Sequence, residues 1–391
     1  MKICGIICEY NPFHNGHAFL IEQAKKKSNC DAIVCVMSGN FTQRGELAIL
    51  DKYTRAEHAI RAGADAVIEL PAVYAVAPAE IFASGAIKLL NSLPDFEKLA
   101  FGSESGDENL FRSAADILLR EPKGFKQRLY AQLRTGKSLT RAKFESLEAV
   151  GKDEAALIQS PNNILGVEYQ KALLRMQSRA EILPVLREGA AHSDTKLYRN
   201  FSSASAIRSA VRNGKIKTVK KNIPVYVESD LRNAVSDVFY KKIALYSALA
   251  TPAERLKKIV DCTEGLENRI KSLVKTNPDY DIFIQKATTK RYISSRIQRI
   301  LAAAVIGIDE ETVRKSLRAP LYLRILAVKK ERADEMLRCF NRSAYPVLAR
   351  RSDYLKLTKT AETVNEKDIF ASELFALFSG QGTCEQHIRL I

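Results

Sequence analysis

The sequence has no Cys-x-x-Cys pair, although it contains seven cysteines in 391 residues. Cys4, Cys8 and Cys35 lie within apolar runs, which is typical of buried thiols in a reducing compartment rather than of a disulfide framework. His14 and His17 lie near two of these cysteines, but no further His/Cys pair stands at ligand spacing to complete a metal site. We therefore predict no protein-bound metal.

Long apolar runs are also missing. Pro78 and Glu80 interrupt the longest candidate, so no run reaches the length that a membrane-spanning helix needs. The N-terminus lacks the pattern of a secretory signal peptide, and the chain has no internal repeat or low-complexity segment. We expect a cytoplasmic location and no membrane partner. The hydrophobic fraction of 46% excludes a disordered chain, and the length favours two domains.

Acidic residues are fewer than basic ones, mainly in the second half of the chain. Residues 1–200 contain 26 Lys and Arg against 24 Asp and Glu, a net charge of +2. Residues 201–391 contain 35 against 21, a net charge of +14. This asymmetry indicates a polyanionic partner at the C-terminal end, and the alternative is a charge that serves only solubility.

The first twenty residues carry the most informative pattern. Residues 3–8 are an apolar run suited to a buried parallel strand, a polar turn follows, and a helical pattern starts near Gly16. A helix N-terminus presents free backbone N–H groups and the positive end of the helix dipole, which suits a phosphate. His14 and His17 can face the same phosphate, while Gly16 lets the backbone approach closely. His-x-Gly-His also occurs by chance, and its position after the first strand favours a functional interpretation.

Strands and helices alternate through the first 200 residues. Apolar runs predict further strands over residues 32–37, 66–70, 99–104 and 181–186, with helical patterns between them. The alternation predicts an α/β fold with a parallel sheet. A polar loop over residues 38–46 follows the second strand, at the edge where open α/β sheets bind ligands.

A second anion site is predicted in residues 201–212. Ser202 or Ser203 would cap a helix there, and Arg208 lies in its next turn. A serine cap is often purely structural. The presence of two such helix ends in one α/β domain favours a functional role.

Beyond Pro224 the pattern becomes mainly helical. We therefore divide the chain into an α/β domain over residues 1–222 and a helical, basic domain over residues 223–391. Basic side chains interleaved with Tyr292 suit contact with a phosphate backbone, although a charge run is also typical of a solvated helix face. The predicted nucleic-acid-binding residues are Lys290, Arg291, Arg296 and Arg299, and a second basic cluster comprises Arg314, Lys315, Arg318, Arg324, Lys329 and Lys330.

The motifs described above resemble those of a known family. The strand followed by His14-x-Gly16-His17, together with the late Ser-Ser-x-x-x-Ile-Arg of residues 202–208, is similar to the HIGH-motif nucleotidyltransferase superfamily. More closely, several blocks resemble the tRNA(Met) cytidine acetate ligase family. They are residues 9–17 (EYNPFHNGH), 38–45 (SGNFTQRG), 51–55 (DKYTR), 101–104 (FGSE), 160–163 (SPNN) and 187–190 (REGA).

The resemblance implies a Rossmann-like nucleotidyltransferase domain and ATP-dependent activation of acetate as acetyl-adenylate, with release of pyrophosphate. The acetyl group would then pass to N4 of the wobble cytidine, position 34, of elongator tRNA(Met). Mg²⁺ normally accompanies ATP, but no carboxylate cluster in the sequence identifies its site.

Residue roles follow from matching these blocks. The predicted catalytic residues are His14, His17, Lys52 and Arg208, with Arg55 a further candidate for the β- and γ-phosphates. Gly102 would let adenosine pack against backbone, and Asn162 and Arg187 would meet its base or ribose. The full predicted nucleotide-binding set is Ile7, Cys8, Glu9, Tyr10, Asn11, Phe13, His14, Asn15, Gly16, His17, Leu20, Gly102, Asn162, Arg187, Ser202 and Ser203.

Two other functions stay open at this stage. An adenylyltransferase that joins AMP to a small phosphate ester would use both anion sites but would leave the helical half without a role. A catalytically inactive RNA-binding protein is disfavoured by the intact His14, Gly16, His17 and Arg208.

Overall fold

The computed structural model describes residues 1–137, 139–187, 201–349, 351–380 and 388–391, without the side chains of residues 139, 140 and 351. Within these residues eight strands form one sheet in the order β5-β4-β1-β2-β3-β6-β7, and β8 pairs with β6. The strands are β1 (Ile3–Cys8), β2 (Ala32–Ser38), β3 (Ala66–Leu70), β4 (Phe96–Ser103), β5 (Glu181–Leu186), β6 (Leu323–Val328), β7 (Val347–Leu348) and β8 (Arg389–Leu390).

The first five strands are all parallel, which confirms the predicted α/β fold. The predicted bounds of β1, β3 and β5 agree with the structure, while β4 begins three residues earlier than predicted. Helices of this part are α1 (Asn15–Lys27), α2 (Lys52–Arg61), α3 (Ala72–Ala75), α4 (Ala79–Asn91), α5 (Glu108–Arg120), α6 (Lys123–Arg134), α7 (Leu139–Glu148), α8 (Lys152–Leu157), α9 (Pro161–Arg175) and α10 (Ala204–Arg212).

The strand order reverses at β1, because β2 pairs with one of its edges and β4 with the other. The chain leaves β1 and β4 toward different sides of the sheet at such a switch point, so a crevice opens at their carboxyl ends. The His-x-Gly-His turn follows β1, and residues 104–107 follow β4. The topology therefore places the two turns at the same edge of the sheet.

Apolar side chains alternate between two cores, one on each face of the sheet. Cys4, Ile6 and Cys8 of β1 pack toward the core that includes buried residues of α1, α2 and α10. Ile3 and Ile7 face the larger core, to which α4, α9 and many helices of the second half contribute. The sheet is thus buried on both faces, as a parallel sheet requires.

The second half is mainly helical, but it also completes the sheet. The sequence analysis missed β6, which runs antiparallel to β3, and the short β7 and β8 that pair with β6. The helices are α11 (Val225–Asp230), α12 (Val238–Ala250), α13 (Ala253–Leu256), α14 (Leu266–Val274), α15 (Tyr280–Ala287), α16 (Ser294–Ile306), α17 (Glu310–Arg318), α18 (Ala333–Asn341) and α19 (Lys359–Ser379).

The sheet therefore crosses the boundary that we predict at residue 222, and the division into two domains stays a prediction. The charge asymmetry also depends on where the chain is divided. Residues 201–222 contribute six basic and no acidic side chains, so a division at residue 222 gives a net charge of +8 to each part. Much of the excess basic charge consequently belongs to the α/β part.

Candidate active site

A cavity opens at the carboxyl ends of β1, β4 and β5, at the switch point of the sheet. It is lined by residues of the turn after β1, the loop after β2, the ends of β4 and β5, and the first turns of α1, α9 and α10. The lining residues are Ile7, Cys8, Glu9, Tyr10, Asn11, His14, Gly16, His17, Phe19, Leu20, Thr42, Gln43, Arg44, Glu46, Phe82, Phe101, Gly102, Asn162, Leu165, Tyr169, Val185, Leu186, Arg187, Ser203, Ala204, Ser205 and Arg208.

His14 is the N-cap of α1, and His17 completes a reciprocal capping box. The Gly16 N–H donates to His14 Nδ1 at 3.1 Å, and the His14 N–H donates to His17 Nδ1 at 3.3 Å. A neutral imidazole that accepts at Nδ1 carries its hydrogen on Nε2. The caps therefore fix the tautomer of both rings and make each Nε2 a hydrogen-bond donor.

Packing holds the two imidazoles in place. The His14 and His17 rings are stacked with centroids 3.6 Å apart, and Tyr10 meets His17 edge-on at 4.9 Å. His14 is only 6% exposed. A pair of donors on a helix N-terminus, ordered before any ligand binds, suits the stabilisation of charge on a phosphate.

The second helix end, at α10, faces the same cavity. Ser203 is its N-cap and accepts from the Ala206 N–H at 3.0 Å, which selects Ser203 over Ser202 as the capping residue. Arg208 donates to Asn11 O at 2.8 Å, and its other terminal nitrogen lies 3.1 Å from Glu46 Oε2 and 3.3 Å from Ser205 Oγ. Burial lowers the pKa of Arg208, and the charge of Glu46 opposes this effect.

The predicted adenosine side of the cavity is built around Glu104. Asn162 Nδ2 donates to Glu104 Oε1 at 2.5 Å, and Ser160 Oγ donates to Oε2 at 2.7 Å. The Arg187 side chain lies over Gly102, where an added Cβ would stand 3.3 Å from its Cγ. Burial lowers the pKa of Arg187, and the nearby Glu104 charge opposes it. The structure brings Gly102, Asn162 and Arg187 together; residues 188–190 of that block lie outside the described residues.

Most of the predicted nucleotide-binding residues line the cavity, but Phe13, Asn15 and Ser202 are not among the described lining residues. Phe13 is buried beneath the site and packs edge-on against Tyr10 at 4.8 Å. Asn15 points to the 3-10 turn after α10, where its Nδ2 donates to Lys221 O at 2.8 Å.

Lys52 and Arg55, which we predict at the β- and γ-phosphates, are likewise not among the described lining residues. Lys52 is 1% exposed, and its Nζ lies 2.8 and 2.9 Å from the two carboxylate oxygens of Glu69. Arg55 is fully buried and donates to the backbone carbonyls of Glu9, Ser38, Gly39 and Leu50. Sequence cannot distinguish these cations from substrate ligands, because the neutralising groups come from other segments.

The loop after β2 contributes more than the sequence analysis assigned to it. Thr42, Gln43, Arg44 and Glu46 all line the cavity, although we give them no role from sequence. The sequence feature that could have identified them is their position after the second strand, at the edge of the sheet where ligands bind. Phe82 and Tyr169 were missed because nothing in their local sequence marks a ligand contact, and Phe101 was given no role although it lies in the matching block 101–104.

The predicted nucleic-acid-binding residues divide into two pairs. Lys290 and Arg291 are exposed. Arg296 and Arg299 are instead mostly buried and both form ion pairs with Asp261, at 3.1 and 3.4 Å. Arg324 of the second basic cluster is also buried, with its Nε 3.3 Å from Glu69 Oε2, so it is not part of a basic surface.

Among the described residues no group of three or more His, Cys, Asp and Glu side chains is arranged to hold a metal ion. In the same part of the chain, no helix is long and apolar enough to span a membrane.

Comparison with known proteins agrees with this arrangement. The chain matches the model of the HIGH Nucleotidyl Transferase family over residues 1–388. It is 38% identical over 387 residues to a Caldanaerobacter subterraneus protein named tRNA(Met) cytidine acetate ligase, covering 96% of this chain and 95% of the relative. A Clostridium botulinum protein of the same name is 36% identical over 401 residues, covering 97% of this chain and 95% of the relative.

Solved structures extend the similarity to the whole fold. The crystal structure of apo TmcAL from Thermotoga maritima has a TM-score of 0.93 to this chain at 30% identity, with full coverage of both chains. TmcAL of the same organism bound with alpha-thio ATP has a TM-score of 0.90 at 29% identity, again with full coverage. The family model and the curated relatives together place the chain in the tRNA(Met) cytidine acetate ligase family of HIGH nucleotidyl transferases.

Proposed function

We propose that this protein is an ATP-dependent ligase that activates acetate as acetyl-adenylate and acetylates N4 of the wobble cytidine, position 34, of elongator tRNA(Met). The observation that carries the proposal is the meeting of two capped helix N-termini in one cavity, with His14, His17 and Arg208 beside them. Such an arrangement suits the phosphates of a nucleoside triphosphate. We take the acid, acetate, and the RNA, tRNA(Met), from the names of the relatives.

The first step needs no protein nucleophile. A carboxylate oxygen of acetate attacks the α-phosphorus of ATP, forming an oxygen–phosphorus bond as the bond to the bridging oxygen of pyrophosphate breaks. Negative charge grows on the α-phosphate oxygens and on the departing pyrophosphate. Catalysis therefore depends on positioning and on donors directed at that charge.

His14 and His17 fit the α- and β-phosphates, because their Nε2–H donors are fixed by the Nδ1 caps. The α10 N-terminus with Arg208 fits the β- and γ-phosphates. Adenosine would lie at Gly102, Asn162 and Arg187. We assign Lys52 and Arg55 to the support of the site, because Lys52 pairs with Glu69 and Arg55 donates to four backbone carbonyls.

Mg²⁺ enters this proposal only as the companion of ATP. Phosphate oxygens of the nucleotide and water would supply most of its ligands, as is usual for Mg²⁺ bound with a nucleotide. When bound, Mg²⁺ would neutralise part of the charge on the triphosphate.

In the second step the cytidine amine attacks the acetyl carbonyl carbon, a carbon–nitrogen bond forms, the bond from the acetyl group to phosphate breaks, and AMP leaves. The exposed Lys290 and Arg291 are candidates for contact with the tRNA backbone. A cytoplasmic location, where tRNA is found, remains a prediction.

Pyrophosphate exchange into ATP tests the proposal directly. Exchange that depends on acetate is expected, and transfer of the acetyl group to elongator tRNA(Met) should follow when that RNA is added. Exchange that depends on a phosphate ester instead would favour an adenylyltransferase of the ordinary type. The absence of exchange with any acid or ester would leave only a binding function.

A further inference from the structure

The loop between β2 and α2 is a rigid hairpin that carries side chains into the cavity. Its tip is closed by the Thr42 N–H, which donates to Glu46 O at 2.9 Å, and by the Gly45 N–H, which donates to Thr42 O at 2.8 Å. Gly45 has a φ of 73°, and an added Cβ would lie 2.4 to 2.5 Å from backbone atoms of Gln298 and Arg299. The tip therefore packs closely against the backbone of α16, where a side chain at position 45 would clash.

Other segments fix the loop from two more directions. Tyr240 of α12 donates its hydroxyl to Gly45 O at 2.7 Å. Gln43 donates its N–H to Glu9 Oε1 at 2.6 Å and its side-chain amide to Ala77 O at 3.2 Å. A loop held in this way presents its remaining side chains to the cavity in a fixed geometry, as a binding site requires.

Two charged side chains of this loop, Arg44 and Glu46, line the cavity. Glu46 forms an ion pair with Arg208 at 3.1 Å. Arg44 is half-buried, and it forms no hydrogen bond or ion pair with any residue in the described part of the chain. A partly buried guanidinium in a cavity wall, with no carboxylate partner among the described residues, suits an anionic ligand.

A second donor lies in the same cavity. Tyr169 of α9 is 4% exposed and lines the cavity, yet its hydroxyl makes no hydrogen bond to any described residue. Its ring lies 5.7 Å from that of Phe101, and Phe82 completes an apolar wall. Burial raises the pKa of Tyr169, and the nearby charge of Glu9 raises it further, so the hydroxyl keeps its proton and remains a donor.

We propose that Arg44 and the Tyr169 hydroxyl bind the carboxylate of the acid substrate, with its short alkyl group against Phe82 and Phe101. This inference rests on the proposed function and names the part of the cavity that recognises the acid. The class of ligand is a short-chain monocarboxylate. One carboxylate oxygen would be held by these donors while the other attacks the α-phosphorus.

The charges around Arg44 favour a monoanion over the end of a triphosphate. Glu46 and Glu9 both line the cavity, and they would repel a group with several negative charges more strongly than a singly charged one. Arg208 and the α10 N-terminus line the same cavity and offer donors that suit the phosphates.

The test compares Arg44→Ala, Arg44→Lys and Tyr169→Phe with the wild type and with Arg134→Ala, an exposed arginine of α6 outside the cavity lining. The Michaelis constants for acetate and for ATP are both measured by pyrophosphate exchange. Loss of a charged hydrogen bond should raise the constant for acetate roughly 10- to 100-fold in Arg44→Ala. The constant for ATP should stay within about twofold, since no nucleotide contact is removed.

The other variants sharpen the test. Arg44→Lys should recover part of the acetate affinity, and Tyr169→Phe should raise the acetate constant by about three- to tenfold. Free guanidinium added to Arg44→Ala should restore exchange in part, which a purely structural role would not explain. Melting curves of all variants show whether each protein is folded.

Several results would overturn the inference. A raised constant for ATP with an unchanged constant for acetate would assign Arg44 to the phosphates. Wild-type constants for both substrates in Arg44→Ala would show that this arginine binds neither. If the wild type shows no exchange with acetate or any other short-chain acid, the proposed function fails and this inference fails with it. If the wild type responds to acetate and the variants share its constant, only the inference fails.

Discussion

Two buried arginines hold the turn between β1 and α1, and they differ in what they leave available. Arg55 is 0% exposed and donates to the backbone carbonyls of Glu9, Ser38, Gly39 and Leu50. Arg208 is 8% exposed and donates to Asn11 O, but it also lines the cavity and pairs with Glu46. One guanidinium thus faces the backbone behind the strand ends, and the other faces the space where a ligand would lie.

The difference shows that the residue type does not decide the role of a cation in this site. Arg55 directs four of its five N–H groups at backbone carbonyls, among them those of Glu9 and Ser38 at the ends of β1 and β2. Arg208 shares its charge with a carboxylate that a ligand can displace or rearrange. Substitutions should therefore separate the two into effects on stability and effects on ligand binding.

The largest effect is expected for Arg55→Ala. The substitution leaves four carbonyl groups without their donor and opens a cavity at the strand ends, which should lower the free energy of unfolding by about 3–5 kcal/mol. Urea-induced unfolding measures this change. Exchange activity should fall with the folded fraction, because Glu9 and the loop after β2 lose their support.

Arg61→Ala is the matched control for this comparison. Arg61 lies on the same helix, is about half exposed and pairs with Glu57 one turn away. An exposed pair of this kind contributes at most about 1 kcal/mol. An Arg55→Ala protein as stable as Arg61→Ala would contradict the structural role that we assign to Arg55.

His14→Ala and His17→Ala should reduce acetate-dependent exchange by about 10²–10³-fold, which corresponds to about 3–4 kcal/mol of transition-state stabilisation. The physical reason is the loss of an Nε2–H donor that the capping box orients toward the cavity. Loss of the His14 cap should also lower the free energy of unfolding by about 1 kcal/mol.

Melting curves accompany the exchange assays on both histidine variants. His14→Asn provides a control, because asparagine caps a helix well but does not present a donor at the same place. Near wild-type exchange in either alanine variant would rule out that histidine as a phosphate ligand. Full activity of His14→Asn would show that capping alone explains the motif.

The fold was largely predictable from sequence, and the site was predictable where its residues are local. The apolar runs of β1, β3 and β5 are bounded by polar turns, so their limits could be identified. His14, Gly16 and His17 lie within one helical turn, so their proximity can be read directly from the sequence. In contrast, β6 has the apolar sequence Leu-Arg-Ile-Leu-Ala-Val, but its buried Arg324 made the segment resemble part of a basic surface.

Contacts between residues far apart in the sequence explain the remaining differences between the predicted and the observed site. Glu69 neutralises Lys52 from 17 residues away, and Asp261 lies 35 residues before Arg296. Nothing in the local sequence of either cation reveals its partner. Tyr169 could not be recognised as a cavity residue for a similar reason, because its position depends on the packing of α9 against β4 through Gly166, where an added Cβ would lie 2.5 Å from Phe101.

Arg208→Ala is expected to act on nucleotide binding with a smaller effect than the histidine variants. Removal of the guanidinium should raise the Michaelis constant for ATP roughly 10-fold or more, and Arg208→Lys should recover only part of it, because a single ammonium cannot replace a planar fork. Binding of ATP by calorimetry, without acetate, measures the effect separately from catalysis. An unchanged ATP affinity in Arg208→Ala would limit this arginine to holding Asn11 and Glu46.

The smallest effects on activity are expected at the exposed basic residues of the helical part. Here, too, a basic side chain that is available to a ligand can be compared with one that pairs within the protein. Lys290 and Arg291 are exposed, whereas Arg296 donates to Asp261 O at 2.8 Å and pairs with its carboxylate. The double variant Lys290→Glu with Arg291→Glu should weaken tRNA binding while acetate-dependent exchange persists. Two lost phosphate contacts should flatten the slope of log K against log salt by about 1.4–1.8 units.

Arg296→Gln is the counterpart of that double variant. It should lower the free energy of unfolding by about 1–3 kcal/mol, because it leaves Asp261 with fewer donors, and it should leave the salt slope of tRNA binding unchanged. Filter binding across a series of salt concentrations, with urea unfolding in parallel, resolves both effects.

If the double variant keeps the wild-type affinity and slope, Lys290 and Arg291 belong to a solvated face. The RNA surface would then be sought at Arg314, Lys315, Arg318, Lys329 and Lys330. The six basic residues of 201–222, the segment that also contributes to the cavity lining, are the other candidates.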